Sequence, residues 1–173
     1  MTGRVTMNIA QASAADARQI AEVLKEAADW LLSDGRPLWT VNEISVERVR
    51  GDVDLGLFHV AREGGAIVGV MKLELEGPHF WPEATPGTSA FVHKLAIRRA
   101  WAKKGLSSAL LSYAHQRTRN LGRVYLRLDC VANRQGLRSL YERFGFSLHS
   151  VVQLGSTQFA RYEIQIEDSC SAT

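Results

Sequence analysis

Hydrophobic residues in the first third of the chain recur with a helical period. After a predicted strand at residues 6–10, apolar positions lie three or four residues apart, as in Ile20, Val23, Leu24, Ala27 and Leu31. This spacing predicts an amphipathic helix that ends at a turn-forming run containing Gly and Pro. Ser13 with Asp16 matches an acidic variant of the capping box at its start. Thr40 with Glu43 matches a second box, which predicts a shorter helix.

The second helix is predicted to end by Gly51, and the pattern then becomes alternating. Residues 57–62 and 67–76 flank a Glu-Gly-Gly run, which predicts a β-hairpin. In the second arm the apolar residues Ile67, Met71, Leu73 and Leu75 share one parity, while Lys72, Glu74 and Glu76 share the other. We therefore expect one buried face and one solvated face.

The remainder of the chain alternates predicted strands with two further helices. Residues 77–88 hold three of the four prolines, which predicts a long loop. Strands are predicted at residues 90–97, 124–128, 146–154 and 158–166. Helices are predicted from residue 106 onward and from a cap at Asn133 to a stop at Gly145. This order of elements favours an α/β protein with a mixed sheet covered by helices.

Length and composition narrow the class of protein. A chain of 173 residues with 46% hydrophobic and 23% charged residues predicts a single soluble domain over residues 1–173, with a disordered tail at the last few residues. No apolar run approaches the length of a membrane span, and no secretory signal pattern is visible, so we expect a cytoplasmic protein. Cys130 and Cys170 match neither a disulfide framework nor a zinc pattern, and no metal is expected.

The segment from residue 95 to residue 111 carries the clearest chemical signal. A strand leads into a turn of cations and small residues, and the next helix directs its unpaired N–H groups back toward that turn. Such an end binds anions, especially a diphosphate. Gly105 allows close approach of the backbone, and Lys103 and Lys104 add positive charge. In isolation the same residues could be a plain basic turn.

Together with the downstream run 133–146, Asn-Arg-Gln-Gly-Leu-Arg-Ser-Leu-Tyr-Glu-Arg-Phe-Gly-Phe, this segment resembles the GNAT superfamily of acyl-CoA-dependent N-acetyltransferases. The order of elements matches as well. The resemblance implies an α+β-type fold: a mixed, mostly antiparallel sheet of about six or seven strands with about four helices, splayed at a β-bulge. It also implies acetyl-CoA as co-substrate and an amine as acceptor.

The superfamily signature is Gln or Arg, two residues, Gly, one residue, then Gly or Ala. In this chain Ala102 and Ser107 stand at its first and last positions. Backbone N–H groups would hold the diphosphate, and Lys103 or Lys104 would compensate for Ala102. The preceding strand would pair with the pantetheine arm of the coenzyme. The implied coenzyme-binding residues are Leu95, Ala96, Ile97, Ala102, Lys103, Lys104, Gly105, Leu106, Ser107, Asn133 and Tyr141.

Acetyl transfer to an amine needs an acid for the departing thiolate, donors for the oxyanion and a base. The resemblance implies that Tyr141 is the acid, although it also belongs to an apolar helical stripe, and that a backbone N–H near Ala96 or Ile97 meets the oxyanion. His93 shares the parity of Leu95 in an unbulged strand, which makes it a candidate base or a structural histidine.

Asp129, at the end of a strand, is the competing candidate for the base, and it could equally be a solvated or capping carboxylate. We do not expect Cys130 to act as a nucleophile, because no base is spaced to pair with it. An aromatic and acidic mouth for a protonated amine is predicted from Trp39, Glu74 and Trp81, with Glu43, His79 and Phe80 nearby in sequence.

The sequence thus predicts an N-acetyltransferase that acts on a primary amine of a small molecule or peptide by direct transfer. The alternative is a non-catalytic acyl-CoA-binding regulatory module of the same fold. A nucleic-acid binder using the basic turn ranks below both, because the net charge is only +3. No membrane partner is expected. The C-terminal strands offer a surface on which a homodimer sheet could form, as in many relatives.

Overall fold

The computed structural model describes residues 7–77 and 79–167. In chain order these residues form β1 (Asn8–Gln11), α1 (Ala17–Ser33), α2 (Val46–Asp54), β2 (Phe58–Glu63), β3 (Ala66–Glu74), β4 (Ser89–Ile97), α3 (Leu106–Asn120), β5 (Tyr125–Val131), α4 (Gln135–Phe144), β6 (Ser147–Leu154) and β7 (Thr157–Gln165). Short 3-10 turns occur at Ala14–Asp16, Asn42–Ile44 and Arg99–Trp101.

The strands form one seven-stranded sheet in the order β1-β2-β3-β4-β5-β7-β6. Strands β4 and β5 pair in parallel, while β1–β2, β2–β3, β5–β7 and β6–β7 pair antiparallel. The predicted mixed, mostly antiparallel sheet with four helices is therefore confirmed. The chain divides into two compact units.

The described part of the first unit is residues 7–72 and 94–110. Its core forms because the apolar stripe of α1 covers the hairpin of β2 and β3, and the two contribute Ile20, Val23, Leu24, Phe58, Val60, Ile67 and Val70. Gly69 is required for close packing. A Cβ at this position would lie 3.0 to 3.2 Å from Ile97, Leu106 and Leu110, so the glycine lets the start of α3 approach β3.

Two predictions for the first unit are wrong in detail. The Thr40–Glu43 box forms, with the Thr40 N–H donating to Glu43 Oε2 at 2.8 Å, but it opens a 3-10 turn rather than an α-helix. Helix α2 begins after Ser45, whose hydroxyl accepts the Arg48 N–H at 3.2 Å, and it continues through Gly51. The second error concerns β3, which is buried on both faces.

Lys72 illustrates why the alternation in β3 misled the prediction. Its side chain is buried, and its ammonium lies 3.1 Å from the carboxylate of Asp52. A buried ion pair lets a charged residue occupy a covered face of the sheet. A charged residue in β3 was therefore not a sign that its face is exposed to solvent.

The described part of the second unit is residues 73–77, 79–93 and 111–167. Strand β5 pairs along its whole length with β7, and the two strands bury Leu126, Leu128, Ala160 and Tyr162. Helix α4 ends at Gly145, which has a φ of 124°, as predicted. Asn133 does not cap it: the helix begins at Gln135 with Arg134 at the N-cap, and Asn133 contributes only its carbonyl to a turn.

Among the described residues, no helix is long and apolar enough to cross a membrane. The predicted disordered tail and Cys170 lie outside the residues that the structure describes.

Candidate functional site

The turn before α3 presents a row of unpaired backbone N–H groups. Lys103 and Gly105 have positive φ values of 60° and 80°, and Lys104 between them does not. Alternation of this kind turns successive N–H groups toward one concave side, which suits an anion. Within the described part of the chain, the N–H groups from Lys103 to Ser108 have no acceptor, and Ala109 is the first residue to donate into α3. Lys103, Lys104 and Gly105 are exposed, and the position of these N–H groups at a helix N-terminus makes this an anion-binding cradle.

The cradle begins one residue later than the signature predicted. The Ala102 N–H donates to the Arg99 carbonyl at 3.2 Å and so belongs to the preceding 3-10 turn. Consequently, Ala102 offers the cradle neither a polar side chain nor an unpaired amide.

Arg98 and Arg99 fix the start of this turn. The Arg98 N–H and Nε donate to the Val68 and Ile67 carbonyls, each at 2.9 Å. The Arg99 N–H donates to Glu26 Oε2 at 3.1 Å, and its guanidinium lies 3.6 Å from the centre of the Trp30 ring. Both arginines are therefore anchors of the turn, which disfavours their use as a nucleic-acid surface.

The two lysines of the turn differ in their surroundings. The Lys104 ammonium lies 4.9 Å from the centre of the Trp101 ring, so a cation–π contact holds it. Among the described residues, Lys103 has no ion pair or ring contact, and its side chain is exposed. Lys103 is thus the better placed of the two to supply charge to an anion in the cradle.

The strand before the cradle is irregular at Lys94. This residue has a φ of 47° inside β4, where the resemblance implied a β-bulge. Leu95 and Ile97 beyond it are half-buried, and Ala96 is buried. The parity argument that aligned His93 with Leu95 assumed an unbulged strand. It does not apply here, because a left-handed residue lies between them and interrupts the alternation of side chains.

In the second unit, His93 lies between two carboxyl groups. Its Nε2 is 3.1 Å from Glu74 Oε2, and its Nδ1 is 4.0 Å from Asp129 Oδ1. Asp129 is nearly buried, and its Oδ1 has no hydrogen-bond partner. Burial raises the pKa of Asp129, Arg161 opposes the shift and the nearby Glu74 adds to it, and together they bring the pKa to about 7. The structure thus brings both candidate bases together with Glu74.

Tyr141 is buried on the inner face of α4. Its ring packs against Phe146 and Tyr162, with centroids 5.9 and 6.0 Å away. Burial raises the pKa of its hydroxyl, and the neighbouring Cys130 and Asp129 add to the effect. The phenol therefore stays protonated at neutral pH. Within the described residues the hydroxyl has no hydrogen-bond partner, which leaves its proton available for donation.

A hydrogen-bond network positions α4. Arg138 Nε donates to the Tyr162 hydroxyl at 2.8 Å, and that hydroxyl donates to Glu142 Oε1 at 2.7 Å. Arg138 also donates to the Ala132 carbonyl at 3.0 Å. These bonds tie the helix to β7 on either side of Tyr141 in sequence, so they restrict its movement.

Cys130 has the properties of a core residue. Burial, with the adjacent Asp129 adding to the effect, raises the pKa of its thiol to about 11. A thiol of this kind is protonated at neutral pH and is a poor nucleophile. This property supports the expectation that no acyl-cysteine forms.

The predicted acceptor residues lie in different settings. Trp39 is half-buried and borders a cavity of about 400 Å³ in the first unit, whose other walls include Ala28, Leu38 and Ile44. Glu43 is used in the box with Thr40. Glu74 contacts His93 in the second unit.

Trp81 does not line a solvent-facing mouth, and that expectation is corrected. It is only 2% exposed, and the guanidinium groups of Arg127 and Arg161 each lie 4.6 Å from its ring centre. Phe80 beside it is half-buried and packs against Phe159 and His93. The sequence of this proline-rich loop does not indicate which of its aromatic residues are buried.

Sequence reasoning missed the parts of the site that depend on distant contacts. The pairing of Arg98 with the carbonyls of β3 spans 31 residues, and the stack of Arg161 on Trp81 spans a still longer separation. Neither has a local pattern. The left-handed conformation of Lys94 could not be predicted from the sequence either, because lysine has no turn preference.

Comparison with known proteins agrees with this geometry. The sequence model of the acetyltransferase (GNAT) family matches residues 23–146. A curated relative, the uncharacterized N-acetyltransferase YesJ of Bacillus subtilis, is 28% identical over 138 residues that cover 76% of each chain.

Solved structures show the same fold. A GNAT-family acetyltransferase from Listeria monocytogenes superposes with a TM-score of 0.78 at 20% identity, covering 95% of this chain and 98% of that one. YncA from Salmonella typhimurium, a structure with acetyl-CoA, has a TM-score of 0.73 at 16% identity and covers 97% and 98% of the two chains. With its family match spanning most of its length, this chain belongs to the GNAT family of acetyltransferases and is an acyltransferase enzyme.

Proposed function

We propose that this enzyme transfers the acetyl group of acetyl-CoA to a primary amine of a small molecule or peptide by direct attack. The observation that carries the proposal is the cradle of unpaired N–H groups from Lys103 to Ser108, which suits a diphosphate. The similarity to YncA, whose structure holds acetyl-CoA, supports the choice of coenzyme. In this proposal the chain forms one acetyltransferase domain.

Coenzyme binding is assigned to the backbone more than to side chains. The N–H groups from Lys103 to Ser107 would hold the diphosphate, with the Lys103 side chain adding charge. The backbone of Leu95, Ala96 and Ile97 would pair with the pantetheine arm. Asn133 is exposed on the turn before α4, which keeps it a candidate coenzyme contact.

Acid–base roles are assigned to the second unit. When the amine attacks the thioester carbonyl, the C–S bond breaks and the thiolate needs a proton. Tyr141 would supply it, because its buried phenol is protonated and its hydroxyl is unpaired within the described residues. His93 would take the proton that the acceptor ammonium loses, with Asp129 as the competing base.

The acceptor is proposed to carry an apolar part. The cavity beside Trp39 has mostly apolar walls, and its volume of about 400 Å³ is ample for a small organic group. Its lining also includes the charged residues Arg18, Glu22, Lys25 and Asp29. Lys94, 5.2 Å from the Trp39 ring centre, keeps the ring in place.

A thiol-release assay tests the proposal. Purified protein is mixed with acetyl-CoA and a panel of polyamines, arylalkylamines, amino acids, aminoglycosides and short peptides, and free thiol is followed by absorbance. We expect amine-dependent release with at least one class, and a product heavier than the amine by one acetyl group in mass spectrometry. Coenzyme binding by calorimetry with no amine-dependent release across the panel would contradict the proposal and favour a non-catalytic module.

A further inference from the structure

The contact between Glu74 and His93 bears on which imidazole nitrogen carries the proton. Glu74 Oε2 lies 3.1 Å from His93 Nε2, within hydrogen-bonding distance. A carboxylate can accept a hydrogen bond but cannot donate one, so a hydrogen bond across this contact requires Nε2–H as the donor. In the neutral imidazole the other nitrogen, Nδ1, then holds the basic lone pair.

The opposite side of the ring faces a different carboxyl group. His93 Nδ1 is 4.0 Å from Asp129 Oδ1, an ion-pair distance that is too long for a hydrogen bond. Asp129 Oδ1 is buried and has no hydrogen-bond partner. Two charged groups act on Asp129 besides His93: Arg161, which favours its carboxylate, and Glu74, which favours its neutral acid.

Exposure falls in order along the three side chains. The exposed fraction is 27% for Glu74, 21% for His93 and 9% for Asp129. Glu74 is therefore the most exposed of the three side chains and Asp129 the most buried. The ring of Phe80, 6.2 Å from the His93 ring, covers another part of the imidazole.

We propose that Glu74 is a positioning residue that holds His93 with its proton on Nε2, so that Nδ1 is the atom that takes the proton of the acceptor ammonium. This inference rests on the proposed acetyl transfer. In the proton transfer, one N–H bond of the ammonium breaks and one Nδ1–H bond forms, which leaves a neutral amine and an imidazolium. The Glu74 carboxylate stabilises that imidazolium from the Nε2 side, and Asp129 does so from the other side when ionised.

The tautomer can be measured without any turnover. Long-range ¹H–¹⁵N correlation spectra distinguish Nε2–H from Nδ1–H histidines, and a His93→Gln variant assigns the His93 signals among the five histidines. We expect the Nε2–H form in the wild type. In Glu74→Gln the amide can donate to Nε2, so we expect the Nδ1–H form. A wild type in the Nδ1–H form, or no change in Glu74→Gln, would overturn the proposal.

Kinetics test the consequence for proton transfer. We expect Glu74→Gln to lower kcat by about 100-fold, with the KM for acetyl-CoA unchanged and the loss partly recovered at high pH, where the amine is already neutral. Glu74→Asp keeps a carboxylate and should retain much more activity than Glu74→Gln. Glu76→Gln is the matched control, because Glu76 is exposed and its ion pair is with Arg123.

The outcomes separate this inference from the proposed function. Wild-type turnover combined with a Glu74→Gln variant within about threefold of it would overturn the role of Glu74 and leave acetyl transfer intact. Absence of wild-type turnover with every amine counts against the proposed function, and the spectra still decide the tautomer.

Discussion

The ammonium of Lys94 lies 5.2 Å from the centre of the Trp39 ring, and this contact originates from a residue in the left-handed conformation inside a strand. The φ of 47° at Lys94 directs its side chain away from the regular alternation of β4. A cation–π contact contributes about 0.5–1 kcal/mol, which offsets part of the cost of the backbone conformation. The irregular strand and the Trp39 segment thus stabilise each other within the first unit.

Substitutions at Lys94 separate the backbone conformation from the side-chain contact. Lys94→Gly keeps the positive φ at low cost and loses the ring contact together with the positive charge that acts on Glu43, so we expect a loss of about 0.5–1 kcal/mol in the free energy of unfolding. Lys94→Val should lose about 2 kcal/mol, because a β-branched residue disfavours positive φ. Urea denaturation measures both. A valine variant as stable as the glycine variant would contradict strain at this position.

Gly105→Ala should weaken coenzyme binding without a steric clash. A Cβ at Gly105 would meet no atom within 4 Å, so the effect comes from its φ of 80°. An alanine favours negative φ and would turn the N–H groups of the cradle apart, so we expect the Kd for acetyl-CoA to rise by about tenfold or more. Isothermal titration calorimetry provides the measurement.

Gly136→Ala is the control for this substitution. Gly136 lies in α4 with ordinary helical φ, and a Cβ there also meets no atom within 4 Å. Its replacement should raise stability by about 0.5 kcal/mol and leave acetyl-CoA affinity unchanged. Equal effects of the two variants on affinity would exclude a specific role for the Gly105 backbone.

Tyr141→Phe should lower kcat by about 100-fold while the KM for acetyl-CoA changes little, because the variant loses only the proton donor. Its ring would still pack against Phe146 and Tyr162, so the Tm should stay close to that of the wild type. Tyr125→Phe, a half-buried tyrosine of the same unit, is the comparison and should keep full activity. Steady-state kinetics with an active amine measure kcat. An unchanged kcat in Tyr141→Phe would show that the hydroxyl is not needed.

Asp129→Asn should change how stability depends on pH. The folded state holds the pKa of Asp129 at about 7, against 3.8 for an unperturbed carboxyl. Between these values the folded protein keeps a proton that the unfolded chain releases, so the Asp129 contribution to stability falls as pH rises and is constant above about pH 7. Relative to the wild type, the free energy of unfolding of Asp129→Asn should therefore increase as the pH rises through this range, by up to about 4 kcal/mol.

Thermal unfolding at pH 4, 5.5, 7 and 8 measures this difference. Asp29→Asn serves as the reference, because Asp29 is exposed and paired only with Lys25 at the surface. The two variants would show parallel pH profiles if Asp129 titrated normally.

Local sequence patterns were sufficient for most elements. The apolar spacing of α1, the Gly-Gly hairpin between β2 and β3 and the glycine stop after α4 each depend on interactions within a few residues. The cradle before α3 was predictable for the same reason, since strand, basic turn and helix N-terminus are consecutive. Gly51 misled because a glycine can continue a helix at a modest cost when neighbouring turns pack well.

The sequence alone therefore determined the elements, the family and the anion-binding turn, all of which follow from neighbours along the chain. Only the tertiary structure decided that Glu74 meets His93, that Trp81 is covered by two arginines and that Lys94 bends its strand. The contacts of His93 and Trp81 join residues far apart in sequence. Their energies, and the conformation of Lys94, depend on burial and on the register of strands. No local pattern encodes either quantity.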